Sequence, residues 1–141
     1  MRIFLLLVGF LSFNLLSAQY TSEDVATAVR EGNNTLLTEF IASGHDINAP
    51  FTKGEHTLLC FAAKVNNPAM VRYLLKKGAD INRESNGKTP LMYGAKYGSL
   101  ESVQALIEIG ADPAFKNSKG RTAADYARKY QQGAVTDLLK N

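Results

Sequence analysis

Cysteine occurs once in this chain, at Cys60. A single cysteine cannot close an internal bridge, so the fold must stand on packing alone. Histidine is almost as scarce. His45 and His56 are the only two, and no Cys, Asp or Glu completes a metal-ligand spacing around either. His56 and Cys60 lie four residues apart, but no third group is in place to orient the histidine, as an activated nucleophile requires. Cys60 therefore reads as a small, partly buried apolar residue. Gly87-Lys88-Thr89 lacks the upstream glycine and the strand-to-helix context of a phosphate loop. These gaps argue against an enzyme, and no cofactor or metal is expected. Asn33-Asn34-Thr35 matches a glycosylation acceptor, which matters only in a eukaryotic secretory route.

Excess charge is small too. Sixteen Lys and Arg stand against thirteen Asp and Glu, a formal net charge of +3. That balance alone predicts no nucleic-acid partner. The longest apolar run, Ile3 to Leu16, is 14 residues broken by Ser12 and Asn14. A membrane span needs about 20. Preceded by Arg2 and followed by Ser17-Ala18, the run has the form of a secretory signal peptide over residues 1–18, cut after Ala18. An uncleaved anchor is the alternative. No cysteine lies near its end to carry a lipid. The Ser-Ala-Gln ending resembles signal peptides of Gram-negative bacteria, which implies a periplasmic or secreted protein with no membrane span after cleavage. Residues 19–141 then form one domain.

That domain has an internal period. Gly54, Gly87 and Gly120 fall 33 residues apart, opening Gly-Glu-His-Thr-Leu-Leu, Gly-Lys-Thr-Pro-Leu-Met and Gly-Arg-Thr-Ala-Ala-Asp. A second series, Gly44, Gly78 and Gly110, opens Gly-His-Asp-Ile-Asn, Gly-Ala-Asp-Ile-Asn and Gly-Ala-Asp-Pro-Ala. A fixed period of this length means one supersecondary unit stacked several times. Leu58 and Ala62, matched to Leu91 and Ala95, give the stripe of a short first helix. Val71, Leu74, Leu75 and Val103, Leu106, Ile107 give that of a second helix. Pro90 suits a helix start and Gly78 and Gly110 suit helix ends. Asp80 and Asn82 are expected to bond the loop backbone.

The run Lys88-Thr-Pro-Leu-Met-Tyr-Gly-Ala-Lys-Tyr-Gly98, then Val103, Leu106-Ile107 and Gly110-Ala111-Asp112, resembles the ankyrin repeat. The resemblance implies an all-α, helix–turn–helix solenoid with short loop or hairpin connections. It covers about residues 21–141 in four copies: about 21–50, 51–83, 84–116 and 117–141. The first copy lacks the Thr-Pro-Leu opening. The second carries His56-Thr57-Leu58 in its place and one extra residue in its Lys64–Asn67 turn. The last stops after its second helix. Most proteins of this type work inside cells, so the signal peptide is unusual.

The resemblance also implies a concave face made of loop tips and the exposed side of the first helices. On the repeat phase, the loop tips contribute Lys53 and Glu55, then Ser85, Asn86 and Lys88, then Lys119 and Arg121. The first helices contribute Arg30, Lys64, Lys96, Tyr97, Lys129 and Tyr130. Only Glu55 is negative among them, while Glu39, Glu101, Glu108 and Asp137 fall on second helices. A nearly neutral chain is thus polarised. The lysines either keep the protein soluble or steer an acidic protein partner to this face. The function expected is that of an exported, monomeric, non-enzymatic protein-binding module. The alternative is an accessory or immunity-type protein that protects or inhibits one partner enzyme.

Overall fold

The computed structural model describes residues 19–53 and 55–140; the expected signal peptide lies outside them. Eight helices and no strand occur among the described residues. They alternate as first and second helices of four repeats. The pairs are α1 (Ser22–Glu31) and α2 (Asn34–Ala42), α3 (Leu58–Lys64) and α4 (Pro68–Lys76), α5 (Pro90–Tyr97) and α6 (Leu100–Ile109), and α7 (Ala123–Lys129) and α8 (Gly133–Leu138).

Threonine starts every first helix. The hydroxyls of Thr21, Thr57, Thr89 and Thr122 accept from the backbone N–H of Asp24, Cys60, Met92 and Asp125. Each bond satisfies one of the donors that a helix N-terminus leaves unpaired. Asp24 and Asp125 return the bond, making capping boxes at both ends of the stack. The turn into each second helix passes through one residue of positive φ: Gly32 (74°), Asn66 (55°), Gly98 (68°) and Gln131 (57°).

These caps correct the register read from the glycines. Thr57 to Asn67, Thr89 to Ser99 and Thr122 to Gln132 are equal in length, so the Lys64–Asn67 turn holds no extra residue. The additional residue falls between Gly54 and Thr57. A threonine cap fixes a helix start by a bond, whereas a loop glycine has no such anchor. Thr57-Leu58-Leu59 therefore stands where Thr89-Pro90-Leu91 stands, and the true counterparts of Leu91 and Ala95 are Leu59 and Ala63. The first copy likewise keeps the threonine of the opening, as Thr21. His56 precedes the helix that Thr57 caps.

The first helices of successive repeats pack side by side, and each packs on its own second helix. Val71, Leu74, Val103 and Leu106 are fully buried, each contributing about 1.5–3 kcal/mol by leaving water. Polar bonds lock the repeats in register. Asn67 Nδ2 donates to Val29 O at 2.9 Å, Ser99 Oγ to Lys64 O at 3.2 Å and Gln132 Nε2 to Lys96 O at 3.2 Å. Each joins the start of a second helix to the open carbonyl end of the preceding repeat's first helix. Between helix pairs, Asp46, Asp80 and Asp112 accept from the backbone N–H two residues on, at 2.8, 2.9 and 2.9 Å. Asp80 thus bonds the loop as expected.

Candidate functional site

The C-terminal ends of the four first helices carry a row of cations and rings. Counted back from the positive-φ turn residue, Arg30, Lys64, Lys96 and Lys129 occupy one position in all four repeats. Packing the repeats side by side interleaves them with aromatic rings. The Arg30 guanidinium lies 5.1 Å from the centre of the Phe61 ring. Lys64 Nζ lies 6.0 Å from Phe61 and 5.1 Å from Tyr97. Lys96 Nζ lies 5.1 Å from Tyr97 and 5.0 Å from Tyr130. Lys129 Nζ closes the row at 5.7 Å from Tyr130. Tyr97 is 44% exposed and Tyr130 40%, large values for rings in so small a fold.

Two ammonium groups 5.1 Å from one ring centre are at most about 10 Å apart. At that distance they repel by roughly 0.4 kcal/mol in water, or about 1.7 kcal/mol at an effective dielectric of 20. Each cation–ring contact returns about 0.5–1 kcal/mol at an exposed site. The two terms nearly balance. The rings hold like charges in a row without neutralising them.

Lys88 belongs to a parallel row nearer the loops. Its Nζ lies 5.4 Å from Tyr93 and 6.0 Å from Tyr126, and donates to Asn86 O at 2.9 Å. Lys53, Lys119 and Arg121 are exposed on the loops and touch no ring of either row. Glu55 and Asn86 are exposed with them, but Ser85 is buried, not a loop tip: its Oγ donates to Glu55 O at 2.5 Å across the repeat boundary.

Among the described residues Lys64, Lys88, Lys96 and Lys129 enter no ion pair; of the row, only Arg30 does, with Glu23 at 3.2 Å. Acids of the second helices are engaged where they stand. Glu101 accepts from Asn66 at 2.7 Å and Glu108 pairs with Arg72 at 2.5 Å, which holds both carboxyls below their ordinary range. His56, buried against Phe61 and Tyr93, senses the surplus. Burial lowers its pKa first, and the charges of Lys64, Lys88 and Lys96 lower it further against Glu55.

This arrangement can attract and orient negative charge. Cys60 does not supply a nucleophile: it is buried, and burial pushes its thiol up to about 12. Among the described residues no group of three His, Cys, Asp or Glu could hold a metal ion, and no helix is long and apolar enough to cross a membrane.

The sequence reading missed Phe61, Tyr93 and Tyr126. Each lies four residues after a capping threonine, so a register anchored on Thr57, Thr89 and Thr122 would have aligned all three. Anchoring on glycine placed Phe61 out of phase with its counterparts.

A family model described as ankyrin repeats (3 copies) matches residues 25–117. The chain is similar to a putative ankyrin repeat-containing protein of Treponema pallidum, 29% identical over 82% of this chain and 39% of that protein. It is 33% identical to the palmitoyltransferase Hip14 of Drosophila melanogaster over 72% of this chain, but spans 16% of that protein. It is 32% identical to the E3 ubiquitin-protein ligase hecd-1 of Caenorhabditis elegans over 79% of this chain and 4% of that protein. In each case the chain spans well under half of the relative.

Proposed function

The chain belongs to the ankyrin repeat family, and on that premise we propose that it is a non-enzymatic protein-interaction module that docks an acidic protein on its first-helix face. The observation that carries this reading is the row Lys64, Lys96 and Lys129, spaced by exposed Tyr97 and Tyr130 and engaged by no carboxylate among the described residues. Charge held this way steers encounter and sets orientation, and the half-exposed rings add contact area of the kind interfaces favour. The module acts as a monomer.

Export is part of the proposal. It rests on Arg2 and the apolar run Ile3–Leu16, and places the module in a periplasm or outside the cell. Intact mass of the native protein is expected to show loss of residues 1–18; a full-length chain in the cytosol would remove export from the account.

Capture from the native compartment tests the surface. The protein should retain an acidic partner, and K64E/K96E/K129E should lose it while keeping the helical far-UV circular dichroism of the wild type. Equal retention by wild type and variant would contradict the proposal.

A further inference from the structure

The row has a spacing as well as a sign. Successive ammonium groups share a ring, so Lys64 and Lys96 stand no more than about 10 Å apart and Lys96 and Lys129 no more than about 11 Å apart, bounds that leave room for the roughly 8–10 Å between axes of packed helices. The cations contact the rings that separate them. Tyr97 and Tyr130 each have two cations within about 6 Å of the ring centre and are only half exposed, so they offer less open ring face for nucleic-acid bases to stack on than free aromatic platforms would. Packing of the first helices at that interaxial distance sets the carboxylates of a partner that meets every cation at about 8–10 Å on one side.

Three backbone forms can be compared. A β-strand returns to the same face every second residue, at about 6.6 Å, or every fourth, at about 13 Å, and neither matches about 8–10 Å. An α-helix returns to the same side after seven residues, about 10.5 Å along its axis, and drifts out of step at each rung. A polyproline-type segment has three residues per turn and a rise of about 3.1 Å, so every third side chain faces one way at about 9 Å. Only the last fits the interval with a short repeat. It is also extended before binding, so little ordering is lost.

Resting on the interaction reading above, we propose that the row binds a polyproline-like segment of an acidic protein whose carboxylates recur at every third residue, one each for Lys64, Lys96 and Lys129. Arg30 already has Glu23. Three open cations therefore set the segment at three carboxylates over seven residues. Tyr97 and Tyr130 act as spacers that keep the cations in register.

Labelled peptides test this by fluorescence anisotropy against the full protein. One repeats Glu-Pro-Pro five times. A second has the same composition with its glutamates consecutive. A third is helical with glutamate at every seventh position, and a single-stranded oligonucleotide of similar charge completes the set. The Glu-Pro-Pro peptide should bind about ten-fold more tightly than any of the others. Tyr97→Leu should reduce that preference below about three-fold while leaving the salt dependence intact, since the charge is unchanged. Equal affinity for the two proline-rich peptides would mean that only net charge is read. Tighter binding of the helical peptide or the oligonucleotide would assign a different occupant. Either result overturns the inference, as does failure of every acidic peptide to bind. If the native partner is still lost from K64E/K96E/K129E in those cases, the docking surface stands and only its register falls. If the partner is retained by that variant, both fall.

Discussion

Burial and the charge of Lys64 both disfavour a proton on His56. Its folded pKa lies below the ordinary value of 6.5. The unfolded chain therefore binds the proton first as pH falls, and stability is lost from about pH 6.5 down to the folded pKa. We expect the urea midpoint to drop between pH 7.5 and pH 5, and to drop less in His56→Gln. The acids with lowered values, Asp24, Glu101, Glu108 and Asp125, lose their charge below that window and do not obscure it. An equal drop in both proteins would mean that His56 is not the group whose lowered pKa weakens the fold as pH falls. Cys60 makes a second residue-scale test. With its thiol buried and held protonated, a thiol reagent at pH 8 should react only after denaturant is added.

Among the helices, the caps and one close approach carry the detail. Replacing Thr89 by Ala removes a bond to the Met92 N–H and should cost about 0.5–2 kcal/mol. Gly94 lies inside α5, where alanine would favour the helix by roughly 0.5–1 kcal/mol. A Cβ there would come within 2.7 Å of Val103 Cγ2 on α6. Overpacking costs about 1–3 kcal/mol, so the clash outweighs the gain and Gly94→Ala should destabilise. A variant as stable as wild type would show that α5 and α6 can move apart. The helices themselves were legible in the sequence, because Val71, Leu74, Val103 and Leu106 repeat at helical spacing and are buried. The register of the second repeat was not, because a glycine series marks loops, and loops absorb an inserted residue where capped helices do not. The cations of the site were legible from the repeat phase. Their interleaving with Phe61, Tyr97 and Tyr130 was not, since it depends on how far one repeat is offset from the next.

For the whole molecule, the main helix contacts among the described residues run within repeats and between neighbouring repeats, and coupling passes through those contacts. Leu106 is fully buried between them. Leu106→Ala should cost about 2–5 kcal/mol. Hydrogen exchange should then rise first in α7 and α8, which pack on α5 and α6. Uniform loosening of all four repeats would mean that the stack folds as a single cooperative unit. The polarity of the molecule is likewise a property of the stack. The row exists only because side-by-side packing brings Lys64 to Tyr97 and Lys96 to Tyr130. The docking claim is tested most directly by the association rate with the captured partner, measured at low and moderate salt for two triple variants. K64E/K96E/K129E reverses the row, and K76E/K77E/K140E reverses the same charge on the second-helix side. The first should associate at least ten-fold more slowly at low salt and lose most of its salt dependence, while the second keeps the wild-type rate. Equal rates for the two variants would contradict the account and leave the row as a solubilising surface.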